Sequence, residues 1–215
     1  IAAVNMSLGS DNITQAQVQN GLPVRITGGI DDEIAELVAR GVIVASASGN
    51  GYSPFSVQGV AYPSADPNPR FVGAIDNTTG ADRITSYSQR DGNLSDIFAP
   101  GSVITGANAT GGTVSGEGTS LATPHISGMA VLAQQLAQQE CGFQLTQNDF
   151  RQRLRNSAIP IFDGDENGDG VVNGDEEDDN VPNTRLTFLR ADMLNLANDI
   201  MLCDTRQTKV DLSAK

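Results

Sequence analysis

A single histidine, His125, stands among the 215 residues. Any chemistry that needs a histidine base must use it or find one elsewhere. Cysteine is almost as scarce. Cys141 and Cys203 lie far apart with no partner at metal-ligand spacing, which excludes a zinc knuckle and a CxxC redox centre. Basic residues are few, 13 against 26 acids, and the formal net charge is −13. A protein that tracks nucleic-acid phosphates needs a basic face, so that class is excluded. No apolar run reaches the ~18 residues of a membrane-spanning helix.

Hydrophobic residues make up 39% of the chain, enough for a core, so wholesale disorder is excluded. The chain opens with Ile1-Ala2-Ala3-Val4-Asn5-Met6-Ser7-Leu8-Gly9, which reads as a buried strand over 3–8 followed by a turn. Termini are usually exposed, so a chain that starts inside a core strand is expected to be the C-terminal part of a longer one. Asp31–Arg40 carries apolar residues at 34, 37 and 38 with acids in its first turn, which predicts a helix that Gly41 stops. Val42–Ala47 reads as a fully buried strand, completing a βαβ unit. Residues 51–70 look like loop. Short strands are expected at Phe71–Ile75 and Ile97–Ala99, and helices over 120–139, from a start at Thr146–Asp149 through Phe150–Ser157, and over 186–202.

The densest chemical pattern is Gly116-Glu117-Gly118-Thr119-Ser120-Leu121-Ala122-Thr123-Pro124-His125. Glycines allow sharp turns and close backbone approach. Pro124 is tolerated only near a helix start, which places the start within about a turn upstream and Ser120 at the mouth. Unpaired N–H groups and the positive end of the helix dipole meet there, a suitable setting for a serine beside an oxyanion.

This segment resembles the nucleophile motif of the subtilisin-like serine proteases, Gly-Thr-Ser-Met-Ala-Thr-Pro-His, with Leu121 as the one change. Further stretches match in order: Asn5–Gly9, then Ala47-Ser48-Gly49-Asn50 with Ser48 for the usual alanine, then Tyr62-Pro63, Val72–Ala74 and Ala99–Gly101. The match runs over 1 to about 157. It implies an α/β fold in three layers, a mostly parallel sheet covered by helices, incomplete at the N-terminus.

It also implies roles. Ser120 would be the nucleophile, and Asn50 would donate its amide to the oxyanion beside the Ser120 N–H. Ser7, Leu8 and Gly9 would form one wall of the S1 pocket and a strand edge for extended peptide. Ala47, Ser48 and Gly49 would form the other wall. His125 follows Ser120 by five residues, about 140° around a helix at ~100° per residue, and so is expected to be structural. The family's Asp and His motifs precede the region matched here, and neither an Asp-Thr-Gly nor a His-Gly-Thr occurs in the chain. They are expected on an N-terminal part of the same catalytic domain.

Between Asp163 and Asp179 stand nine acids and no base, most of the net charge. Asp165, Asn167, Asp169, Val171 and Glu176 fit the calcium-loop pattern D-x-[DN]-x-[DN]-G-x5-E, with Gly170 at the turn. An acidic Ca²⁺-loop insertion at about 163–180 is expected within a single domain spanning 1–215. A family that is mostly exported also suggests a Cys141–Cys203 disulfide.

The leading expectation is a secreted or extracytoplasmic, calcium-stabilised serine endopeptidase acting on peptides or proteins. A catalytically inactive, calcium-binding relative that binds peptides or only scaffolds is the alternative. A lipase-like hydrolase is disfavoured because Gly118-Thr119-Ser120-Leu121-Ala122 lacks the second glycine of G-x-S-x-G.

Overall fold

A computed structural model describes residues 1–22, 30–68, 70–76, 82–164 and 182–203. Six strands form one sheet in the order β1-β3-β5-β6-β10-β9. They are β1 (Ala3–Met6), β3 (Ile43–Ala47), β5 (Arg70–Ile75), β6 (Ile97–Pro100), β10 (Thr187–Arg190) and β9 (Ile159–Phe162). All pairings are parallel except β10 with β9. This is the mostly parallel α/β sheet that the sequence predicts.

Alternation along the strands builds two unlike faces. Ala45, Ala74 and Ala99 point to one face, where they meet Ala122, Ala130 and Ala133 of the long helix α4 (Thr119–Leu136). Alanine on both partners lets helix and sheet approach closely. Helices α5 (Gln147–Asn156) and α6 (Met193–Met201) complete that layer through Phe150, Leu154, Leu196 and Ile200. The other face carries the large side chains Phe71, Phe98 and Phe188, whose rings pack with centroids 5.6 and 5.2 Å apart. It is covered by the ribbon β2 (Ser10–Ile13) and β4 (Val60–Tyr62), with α1 (Gln15–Gln19) alongside. Helix α2 (Asp31–Ala39) buries Ile34 and packs beside β3.

Several expectations are corrected. Residues 186–202 are not one helix but β10 followed by α6. The aromatic and branched run Thr187–Leu189 sends Phe188 and Leu189 to opposite faces, and Asp192 caps α6 by accepting the Asn195 N–H at 2.8 Å. The stretch 51–70 holds a short helix α3 (Tyr52–Phe55) as well as β4. An exposed hairpin of β7 (Ile104–Ala107) and β8 (Thr113–Gly116), absent from the sequence reading, leads into α4. Strand β1 ends at Met6, so Ser7–Gly9 leaves the sheet. Cys141 and Cys203 form the expected disulfide, 62 residues apart in sequence. The predicted calcium loop, Asp165 to Glu176, lies outside the described residues.

Candidate active site

Helix α4 starts at Thr119, and Ser120 is its second residue. Gly118, at φ +139, makes the turn into the helix, a conformation that L side chains rarely adopt. Its N–H donates to the Gly101 carbonyl at 2.8 Å and to the Tyr87 hydroxyl at 3.1 Å. Burial pushes the Tyr87 phenol up, so it stays protonated and donates to the Gly101 carbonyl at 2.9 Å.

Pro124 sits deeper than expected, six residues in rather than within about a turn of the start. Lacking an N–H, it leaves the Ser120 carbonyl without its helical donor. The Ser7 hydroxyl fills that place, donating to the Ser120 oxygen at 2.7 Å. In return the Ser120 hydroxyl donates to the Ser7 carbonyl at 3.2 Å. The proline thus explains why the segment after β1 docks on this helix mouth. Ser127 adds a third tie, from its hydroxyl to Asn5 Oδ1 at 3.2 Å.

Thr119, which the sequence reading passed over, organises the opposite side. Its N–H and its hydroxyl both donate to Asn50 Oδ1 at 2.9 Å. Its hydroxyl oxygen accepts the Gly49 N–H at 3.2 Å. With Oδ1 engaged twice, the Asn50 Nδ2 is turned toward Gly118, where an added Cβ would lie 3.1 Å from it. The Ser120 N–H belongs to the first turn, where no carbonyl of the helix itself can accept it. Two donors, one side-chain and one backbone, therefore stand at the start of α4.

The two expected walls are also brought together. Ser7, Leu8 and Gly9 follow β1; Ala47, Ser48 and Gly49 end β3 and its continuation. The strands are neighbours, with Met6 opposite Ser46. Both glycines close on one methyl group. A Cβ at Gly9 would fall 3.0 Å, and one at Gly49 2.9 Å, from the Ala61 Cβ. Leu8 and Gly9 are exposed, whereas Ala47 and Ser48 are buried. His125 is exposed, and its Nδ1–H donates to the Leu121 carbonyl one turn back at 3.0 Å. That bond turns the ring toward Leu121 rather than Ser120, in keeping with its position on the helix. Thr119 stands inside the nucleophile motif, which gives it no role of its own, and Ala61 and Tyr87 are marked by their placement alone.

Among the described residues no group of three His, Cys, Asp or Glu side chains could hold a metal, and no helix is long and apolar enough to cross a membrane. The Peptidase_S8 model, the Subtilase family, matches residues 1–188. Subtilisin of Bacillus pumilus is 32% identical over 165 residues, 76% of this chain and 56% of the relative. Subtilisin BL of Lederbergia lenta is 31% identical over 146 residues, 68% of this chain and 49% of the relative. Subtilisin E of Bacillus subtilis (strain 168) is 31% identical over 165 residues, 76% of this chain and 40% of the relative. The chain thus spans about half the length of these relatives. The solved structure of the prenylagaramide maturation protease PagA superposes with a TM-score of 0.64 at 25% identity, over 92% of this chain and 61% of that one. With its helix-mouth serine, its pinned asparagine and these matches, the chain belongs to the subtilase family.

Proposed function

We propose that the chain carries the nucleophile and oxyanion side of a serine endopeptidase site. The observation that carries this reading is the double anchoring of Asn50 Oδ1 by Thr119, which aims the amide toward the helix mouth where Ser120 sits. Ser120 Oγ attacks the scissile carbonyl and forms an acyl-enzyme, which water then hydrolyses. The developing oxyanion is received by the Asn50 Nδ2 and the Ser120 N–H. An extended peptide lies along Ser7–Gly9, with its side chain before the scissile bond between that segment and Ala47–Gly49.

The proton from Ser120 needs a base, and the single histidine is turned to Leu121. The histidine and aspartate come, in this proposal, from an N-terminal part of the same catalytic domain. Two features favour such a partner. Among the described residues strand β1 is an edge of the sheet, and α4 exposes apolar Val131 and Leu132. The test is labelling by a serine-directed phosphonate together with turnover of an unfolded protein, using the full-length protein that contains this chain. Ser120→Ala should abolish both. Labelling and turnover that survive Ser120→Ala would overturn the assignment. The 215-residue chain alone should hydrolyse poorly, and robust activity removed by His125→Ala would overturn the placement of the base. Peptide binding without turnover in the full-length protein would favour an inactive, peptide-binding relative.

The same proposal includes Ca²⁺ held by Asp165, Asn167, Asp169, Glu176 and the Val171 carbonyl. The donor set is all oxygen, as this hard cation requires. The described ends of the segment meet across β9 and β10, where the Arg185 N–H donates to the Asp163 carbonyl at 2.8 Å. Calcium would offset carboxylate repulsion there. Melting curves in Ca²⁺, in Mg²⁺ and in chelator, on wild type and Asp169→Ala, test it. Equal stabilisation of both proteins by Ca²⁺ would rule the loop out. A secreted or extracytoplasmic location agrees with the disulfide, since such bonds persist in oxidising compartments.

A further inference from the structure

We propose that Gln89 is a positioning residue that sets the spacing between the two walls of the peptide cleft and, through it, the aim of the Asn50 amide. The inference rests on the peptidase reading above. It concerns a residue in the connection between β5 and β6 that belongs to no motif, with its side chain almost wholly buried.

Gln89 reaches Gly49 of one wall and the strand that directly continues the other. On one side its backbone N–H donates to the Gly49 carbonyl at 2.9 Å, and its Oε1 accepts the Gly51 N–H at 3.3 Å. These two glycines flank Asn50. On the other side its Nε2 donates to the Asp11 carbonyl at 3.0 Å and to Asn12 Oδ1 at 2.8 Å. Asp11 and Asn12 lie in β2, directly after the Ser7–Gly9 segment. One buried carboxamide therefore joins the loop of the oxyanion donor to the segment proposed to bind peptide.

The polarity admits one orientation. Turned over, the amide would set N–H against N–H at Gly51 and oxygen against oxygen at Asp11 and Asn12. A carboxylate could keep the first contact and would lose the others. A methionine would fill the space and keep none of the side-chain bonds, leaving only the backbone bond to Gly49. The fit is close: a Cβ at Gly49, itself at φ +99, would fall 2.0 Å from the Gln89 Oε1. The Asn50 side chain is held by Thr119, but its backbone lies between two residues without side chains. Gln89 secures both of them. An oxyanion donor works within a few tenths of an ångström, and a displacement near 1 Å can cost about a hundredfold in rate.

The experiment compares Gln89→Met and Gln89→Glu with wild type in the full-length protein, with active sites counted by phosphonate titration. Two peptides are used that differ only in Phe or Ala before the scissile bond. Gln89→Met should lower kcat per titrated site by about ten- to a hundredfold with a smaller change in KM. It should also shift the Phe-to-Ala ratio of kcat/KM by at least ~3-fold, because that ratio depends on wall spacing. Gln89→Glu should be impaired near pH 8 and recover relative to wild type toward pH 5, where a protonated carboxyl regains a donor. Unchanged kcat per site and an unchanged ratio in Gln89→Met, with only the melting temperature lowered, would overturn the proposal.

A wild type that neither labels nor turns over would instead sink the peptidase reading. The wall tie is then read by amide hydrogen exchange of the full chain. In Gln89→Met the Gly51 amide should exchange at least ~10-fold faster while the Val44 and Phe71 amides are unchanged. No change at Gly51 would overturn the tie itself.

Discussion

The serine-bearing cleft and the C-terminal region around β9, β10 and α6 are held by different chemistry. In the cleft the ties are neutral. Hydroxyls, carboxamides and backbone groups of Ser7, Asn50, Gln89, Thr119 and Ser120 hold one another. The C-terminal region is held by charge and a covalent bond. Arg90 and Asp163 form a buried pair at 2.9 Å, with the guanidinium 3.8 Å from the centre of the Tyr52 ring. Asp163 also accepts the Thr184 N–H at 2.8 Å. Arg153 pairs with Asp199, Arg190 with Asp82, and Cys141 with Cys203. Neutral hydrogen bonds keep their geometry across pH and salt, which suits a site that must hold donors in place. Ion pairs and a disulfide instead tie the described C-terminal strands and helix to the rest of the fold, and they respond to pH, salt and reductant.

Breaking the neutral ties should cost the most function and little else. Asn50→Ala in the full-length protein is expected to lower kcat by about 10²–10³ with KM nearly unchanged, a magnitude established on subtilisin itself rather than derived from this chain. Steady-state kinetics check it, and an unchanged kcat would deny Asn50 its role.

Breaking the charged ties should cost stability instead. Arg90→Met leaves Asp163 buried without its cation, and the expected loss is about 3–5 kcal/mol in urea unfolding. Arg90→Met with Asp163→Leu should recover part of it, because an apolar pair removes the uncompensated charge.

Reducing Cys141–Cys203 should come next. The closed loop of 62 residues corresponds to roughly 4 kcal/mol in the chain-entropy account, an upper figure since measured values often fall short. Urea midpoints with and without reductant check it.

A smaller effect, of opposite sign, is expected at Tyr62. Its hydroxyl is buried with no hydrogen-bond partner among the described residues. Burial, with Asp66 and then the acids of α2 adding to it, pushes the phenol up to about 12. The folded state thus holds this proton more tightly than the unfolded chain. That contribution is whole below pH ~10 and is lost as pH rises from about 10 toward 12. Tyr62→Phe should stabilise by about 1 kcal/mol at neutral pH and flatten this alkaline loss. Melting temperatures from pH 7 to 11 test both parts. Least of all, Glu36→Gln on the exposed pair with Arg40 should change stability by no more than ~0.5 kcal/mol.

Legibility followed the range of the physics. The strand at 43–47 and the helix at 31–39 were readable within a residue, because burial and period act over neighbouring positions. Residues 186–202 misled because Thr187–Leu189 is short, and its apolar pattern fits a strand or a helical turn equally well. The β7–β8 hairpin is exposed except at the half-buried Ile104, so no apolar pattern announced it.

For the site, sequence alone determined the serine at a helix mouth. Gly118, Ser120 and Pro124 constrain one another within two turns of backbone, and so do Gly49 and Asn50 at the end of a buried strand. Only the tertiary structure decided what holds them. Ser7 meets Ser120, Thr119 meets Asn50, and Gln89 reaches Asp11 and Gly51 because parallel strand order brings distant residues to one end of the sheet. Hydrogen bonds between residues that far apart leave no period in the sequence, since each needs one polar side chain at one place and nothing of its neighbours.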